Sequence, residues 1–137
     1  MGLRSFLRVP AHKSTSINFS LLLLRIVAGG FMLTHGFGKM QKLFLGDFTF
    51  SDPLGIGMEL SLILTVFAEI VCALFIVLGL FTRFVSIPLM ITMIVAVFIV
   101  HAGHDFGRKE LGLFYLASYF ILFISGPGKY SLDAKLY

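Results

Sequence analysis

The chain has 137 residues, enough for one domain; 58% are apolar, only 13% are charged, and the mean hydropathy is +0.97. Soluble domains carry about 45–50% apolar and about 25% charged residues. This composition excludes a disordered chain, a secreted disulfide scaffold and a soluble enzyme, and it indicates an integral membrane protein. The net charge of +4 is spread over basic residues that stand singly or in pairs at the edges of apolar runs. A nucleic-acid binder needs a basic stripe interleaved with aromatics, so no nucleic-acid partner is expected. The single cysteine, Cys72, allows neither an internal disulfide nor a CxxC redox pair.

Taken in chain order, residues 1–17 read as an N-terminal cytoplasmic tail with basic residues at Arg4, Arg8 and Lys13 and no long apolar run or cleavage site. Leu3, Phe6 and Leu7 either rest on the membrane surface, with Arg4 and Arg8 toward the headgroups, or belong to an untethered tail. Residues 18–128 form a transmembrane domain. A spanning helix takes about 17–25 mostly apolar residues, and four such runs are predicted, at about 18–38, 59–82, 84–103 and 111–126. Arg25 and His35 interrupt the first run and Glu69 the second. The last two carry no Asp, Glu, Lys or Arg. Barrel strands would instead alternate in pieces of about ten residues. The expected fold is therefore all-α, an integral membrane four-helix transmembrane bundle with both termini on the same side.

The connections fit this division. Gln41 to Gly57 is a long loop at the interface, in which Asp52-Pro53 reads as an N-cap and first helical residue. Gly79 to Arg83 is a tight turn, and Gly126-Pro127-Gly128 ends the last helix before a tail at 129–137. The terminal side carries Arg4, Arg8, Lys13, Arg83, Lys129 and Lys135; the other carries Lys39, Lys42, Arg108 and Lys109. The bias places the termini inside. On the second helix Ser61, Thr65, Ala68, Cys72 and Gly79 form a stripe of small residues, and Gly29 and Gly36 stack similarly on the first. Such faces let membrane helices approach closely.

Ionisable residues inside a membrane are costly and need partners or a purpose. His35, Lys39, Glu59, His101, His104, Glu110 and Tyr115 all fall near the loop-side face. Arg25 lies ten residues below His35, and Glu69 ten below Glu59, about 15 Å deep in each case; Tyr119 reaches a similar level. This depth arithmetic predicts an Arg25–Glu69 ion pair, either fixing helix register or forming the floor of a ligand pocket. The face-side cluster has three readings: interfacial anchoring, metal or haem binding through His35, His101, His104 and Glu110, or a small-molecule pocket. The last would suit a quinone headgroup, with His and Tyr on ring carbonyls and Phe, Met90 and Met93 as apolar walls. Histidine can exchange protons near neutral pH.

One ordered set of residues spans most of the chain. It comprises Leu24-Arg25, His35-Gly36-x-x-Lys39, Glu69, Leu78-Gly79-Leu80-x-Thr82-Arg83, His101, Glu110 with Tyr115, and Gly126-Pro127-Gly128-x-x-Ser131-Leu132-Asp133. Together these resemble the DoxX family of small four-helix membrane proteins. The resemblance implies a prokaryotic cytoplasmic membrane and a membrane oxidoreductase component. Some relatives are thiosulfate:quinone oxidoreductase subunits; others are tied to quinone stress or to soluble redox partners. It carries the family's polar motif onto Arg25, His35, Lys39, Glu69, His101 and Glu110. The expectation is a quinone ligand, with haem or a metal left open and no metal site assigned. His35 and His101 would be catalytic, and Arg25, Lys39, Glu69, Glu110, Tyr115 and Tyr119 would bind the ligand. The lipid bilayer and a partner subunit or second copy are the expected partners. The alternative is a non-catalytic chaperone, receptor or lipid-binding protein, since the superfamily is described as including cargo receptors and assembly factors.

Overall fold

The computed structural model describes residues 2–9 and 14–137; Lys13 of the charge count lies outside them. The described residues are all helical or irregular, with no strand. A short α1, Leu3–Leu7, precedes the long α2, Thr15–Phe44. Then come α3, Met58–Leu78, and α4, Thr82–Val100, followed by α5, Phe106–Ser125, and a short α6, Asp133–Leu136. Among the described residues, α2, α3 and α4 are long and apolar enough to cross a membrane. The 20 residues of α5 include Arg108-Lys109-Glu110 near its start, which leaves a shorter apolar stretch.

The polarity of the molecule is inverted relative to a soluble protein. Phe19, Phe31, Phe98 and Phe114 are about 60% exposed, whereas Arg25, Glu69 and Asp133 are at most 3% exposed. Apolar side chains facing outward need lipid around them, and charges facing inward need partners in the protein. The core between the helices is built from Ala28, Met32, Ala68, Cys72, Ala73, Ile76, Leu89, Met93 and Leu122.

Two glycines set the register of α2 against α3. A β-carbon on Gly29 would stand 2.9 Å from the Ala73 carbonyl, and one on Gly36 would stand 2.8 Å from Cβ of Glu69. The stripe expected on α3 is buried at Ser61, Ala68, Cys72 and Gly79 and half-buried at Thr65. The start of α3 differs from expectation. Asp52 is no N-cap: the helix begins five residues after Pro53, behind Gly57 at φ 104°. Asp52 serves it from across the loop, accepting bonds from the Ile56 and Gly57 amides (both 2.9 Å) and from the Ser61 hydroxyl.

The predicted Arg25–Glu69 pair does not form. Arg25 lies eleven residues before Gly36, about 16 Å along the helix axis, while Gly36 is the residue that faces Glu69. Depth counted from His35 misplaced the two helices because α2 continues nine residues beyond His35, to Phe44. Arg25 instead reaches the far end of α3, where a helix leaves its last carbonyls without helical partners. Its guanidinium donates to the carbonyls of Ile76 (3.1 Å), Val77 (3.1 Å), Pro127 (2.7 Å) and Tyr130 (2.9 Å). A planar five-donor group suits such a fan of acceptors better than a lysine would.

The segment after α5 completes this end. Gly79, at φ 69°, closes α3, with its own amide bonded to Ile76 and that of Leu80 to Phe75, the paired bonds of a glycine-terminated helix. The amides of Leu132 and Asp133 then bond to the carbonyls of Leu78 and Gly79. The buried Asp133 carboxylate accepts from the amides of Phe81 (2.7 Å) and Thr82 (3.0 Å), capping α4 from a distant part of the chain. The tail of α1 docks at the same end. Phe6 packs on Phe84 and Phe123, Leu7 is buried, and Arg83 donates to the Phe6 carbonyl at 2.9 Å.

Candidate functional site

The opposite end of the helices holds the other half of the polar motif. Glu69 projects from a π-helical stretch of α3, Phe67–Cys72, and is buried. One turn beyond Gly36 on α2, Lys39 meets it as a bidentate ion pair, with Nζ 2.7 Å from Oε1 and 2.8 Å from Oε2. The glycine makes this contact feasible by bringing the α2 backbone against the α3 carboxylate. The Lys39 side chain remains about one-third exposed, 32%. A second π-helical stretch, Ala96–Val100, ends α4 immediately before His101. Both helices that build the site thus leave regular α geometry beside their polar residue, a distortion frequent at functional sites.

Two cavities flank the pair. The larger, about 330 Å³, lies between α3, α4 and the long loop and is walled by Leu54, Ile56, Leu64, Ile91, Val95 and Val100 among others. The smaller, about 190 Å³, lies among α2, α4 and α5 and is lined by Met32, His35, Met93, Arg108, Gly112 and Tyr115 among others. Lys39, Glu69, Ala96 and His101 line both. The ion pair and His101 therefore stand in the wall shared by a largely apolar cavity and a more polar one.

The predicted site residues divide accordingly. His35, Lys39, Glu69, His101 and Tyr115 come together at this wall. His35 and Tyr115 meet at right angles, with ring centroids 5.7 Å apart and planes at 89°. Tyr119 stacks on Tyr115 at 6.1 Å, but its hydroxyl donates to the Ala28 carbonyl in the core. Arg25 lies at the other end, and Glu110 is exposed and lines neither cavity. Met93 lines the smaller cavity and Met90 does not.

Among the described residues, no three His, Cys, Asp or Glu side chains converge as a metal site. His101 and His104 bond to each other, Nδ1 to Nδ1 at 2.9 Å. Arg108, Gly112 and the loop residues of the larger cavity were not anticipated. Arg108 had a usable signal: it sits one turn before Gly112 and two turns before Tyr115, on one face of α5.

Compared with known proteins, residues 20–102 match the family model described as DoxX. No curated protein and no solved structure matches the chain.

Proposed function

Because the chain belongs to the DoxX family of membrane proteins, we propose that it is the membrane component of a quinone-linked oxidoreductase, with a quinone ring held in the larger cavity. The observation that carries this reading is the Lys39–Glu69 pair with His101 in the wall shared by both cavities. A volume of about 330 Å³ falls at the lower end of small-ligand pockets, which are mostly apolar with a few fixed polar groups. Lys39 has three N–H donors and gives two to Glu69; the third is available to a ring carbonyl oxygen. His101 supplies or accepts a proton at the same wall, and His35 and Tyr115 do so from the smaller cavity.

A quinone takes up two electrons and two protons on becoming a quinol. Cys72 is buried in the helix packing, so the electrons come from a partner subunit or soluble donor. In this reading all four long helices cross the cytoplasmic membrane of a prokaryote, with Arg108 and Lys109 at headgroup depth. Arg4, Arg8, Arg83, Lys129 and Lys135 mark the inner face.

The test is binding of decylubiquinone to the protein in lipid nanodiscs. Lys39→Ala, Glu69→Gln and His101→Ala are each expected to weaken binding about tenfold or more, roughly 1.4 kcal/mol, while Glu110→Gln stays within twofold. No binding by the wild-type protein, with only phospholipid or a client protein co-purifying, would overturn the redox reading in favour of a receptor or chaperone.

A further inference from the structure

The contact between His101 and His104 joins the site to the loop-side surface. His104 is exposed, His101 is half-buried and lines both cavities, and their Nδ1 atoms are 2.9 Å apart. The backbone holds them there. The His104 amide bonds to the His101 carbonyl at 3.0 Å, and Lys109 fastens the turn by donating to the Ala102 carbonyl at 3.1 Å. An Nδ1–Nδ1 hydrogen bond requires one ring to donate and the other to accept. The pair therefore shares a single bridging proton. Two bridging protons would set two donors and two positive charges against each other, and the contact would open.

We infer that His104 and His101 form a one-proton relay between water at the loop surface and the ligand cavity, an inference that rests on the quinone reading for its acceptor. A proton from water adds to Nε2 of His104, whose Nδ1 proton passes to Nδ1 of His101. His101 then releases its Nε2 proton to an acceptor on the cavity side, a ligand oxygen or the Glu69 carboxylate. One proton enters, one leaves and no electron moves; the pair ends with its bridge reversed, the arrangement that carries a proton from the cavity back to water. The charged and titratable groups around His101 are His35 and Lys39 from α2, Glu69 from α3, and Arg108 and Tyr115 from α5.

The experiment combines a titration with a rate. With histidine rings labelled by 15N in nanodiscs, the nitrogen resonances of His101 and His104 are expected to change together as the pH is varied, as those of a coupled pair do. His104→Ala should reduce His101 to a simple one-site curve. Independent curves for the two rings in the wild-type protein would overturn the relay. The relay is then run outward: decylubiquinol is bound at one equivalent and oxidised with two equivalents of ferricyanide, which take one electron each and leave two protons to be released through His101 and His104 to a pH dye. His104→Ala should keep quinol affinity within twofold yet slow proton release about fivefold or more, with added imidazole restoring the rate. Release at the wild-type rate in that variant would also overturn it. If no quinol binds at all, the quinone reading fails, and the coupled titration alone decides whether the histidine pair shares a proton.

Discussion

Arg25 and Glu69 are both buried charges, and the structure gives each a different partner at a different end of the molecule, which a double-mutant cycle can test. In Arg25→Ala the carbonyls of Val77, Pro127 and Tyr130 lose their guanidinium donor, while that of Ile76 keeps the Gly79 amide. A hydrogen bond to a charged group contributes about 1.5–3 kcal/mol, and an orphaned buried acceptor costs about 1–3 kcal/mol. Three of them give roughly 3–9 kcal/mol, and water entering at the helix ends keeps the cost to the lower part of that range, about 3–5 kcal/mol. Lys39 and Glu69 share one bidentate contact with the lysine 32% exposed, so their coupling should be about 1.5–3 kcal/mol.

Arg25 and Glu69 share no partner, so their two substitutions, Arg25→Ala and Glu69→Gln, should add to within about 0.5 kcal/mol. Reversible unfolding in mixed dodecyl maltoside and sodium dodecyl sulfate micelles, followed by helical circular dichroism, measures all three numbers. An Arg25–Glu69 coupling above about 1 kcal/mol, or an Arg25→Ala cost below that, would refute the division of the polar motif into two ends.

Gly29→Ala is expected to destabilise by about 1–3 kcal/mol in the same unfolding experiment, because its β-carbon would meet the Ala73 carbonyl at 2.9 Å. Gly30→Ala, with nothing within 4 Å, should be neutral or slightly stabilising, and equal effects at the two positions would count against the helix packing. The Asp52 carboxylate is held below the ordinary range, first by the Gly57 amide and then by the Ile56 amide and Ser61 hydroxyl. Its lowered value means that the loop contact is fully present above the ordinary carboxylate pKa and is lost as pH falls through the lowered one. Amide exchange at Ile56 and Gly57 should therefore lose protection on acidification, after allowance for the intrinsic pH dependence of exchange, and Asp52→Asn should remove most of that change.

The motif reads differently once its parts are placed. Leu78-Gly79, Arg83, the Gly-Pro-Gly segment, Ser131 and Asp133 gather with Arg25 at one end, where they terminate α3, start α4 and hold the chain ends against that turn. His35, Gly36, Lys39, Glu69, His101 and Tyr115 gather at the other, around the cavities. Both sets are equally polar and equally set among apolar runs, so residue type alone does not separate them. The distinction arises because a guanidinium bonding only to backbone carbonyls closes helix ends, whereas the lysine–carboxylate pair faces open volume and leaves one lysine N–H outside the pair.

Hydropathy and run length were sufficient to identify helices, a membrane setting and the small-residue faces, because these depend on transfer free energy and local backbone geometry. Segment length also limited how well each span could be read: α2 runs on past the end of its apolar stretch through Gly38, Lys39 and Lys42, which hydropathy scores as loop but helix geometry tolerates. That unseen extension moved the register of α2 against α3 by about three turns. Register between two helices follows from where side chains allow the backbones to touch, here at Gly29 and Gly36, and not from counting residues inward from a presumed surface. Only the tertiary structure could therefore decide that Glu69 pairs with Lys39, that Arg25 closes the far end, and that Glu110 stands outside the cavities. Each of these contacts joins residues at least 30 positions apart or depends on a helix face that no local pattern specifies.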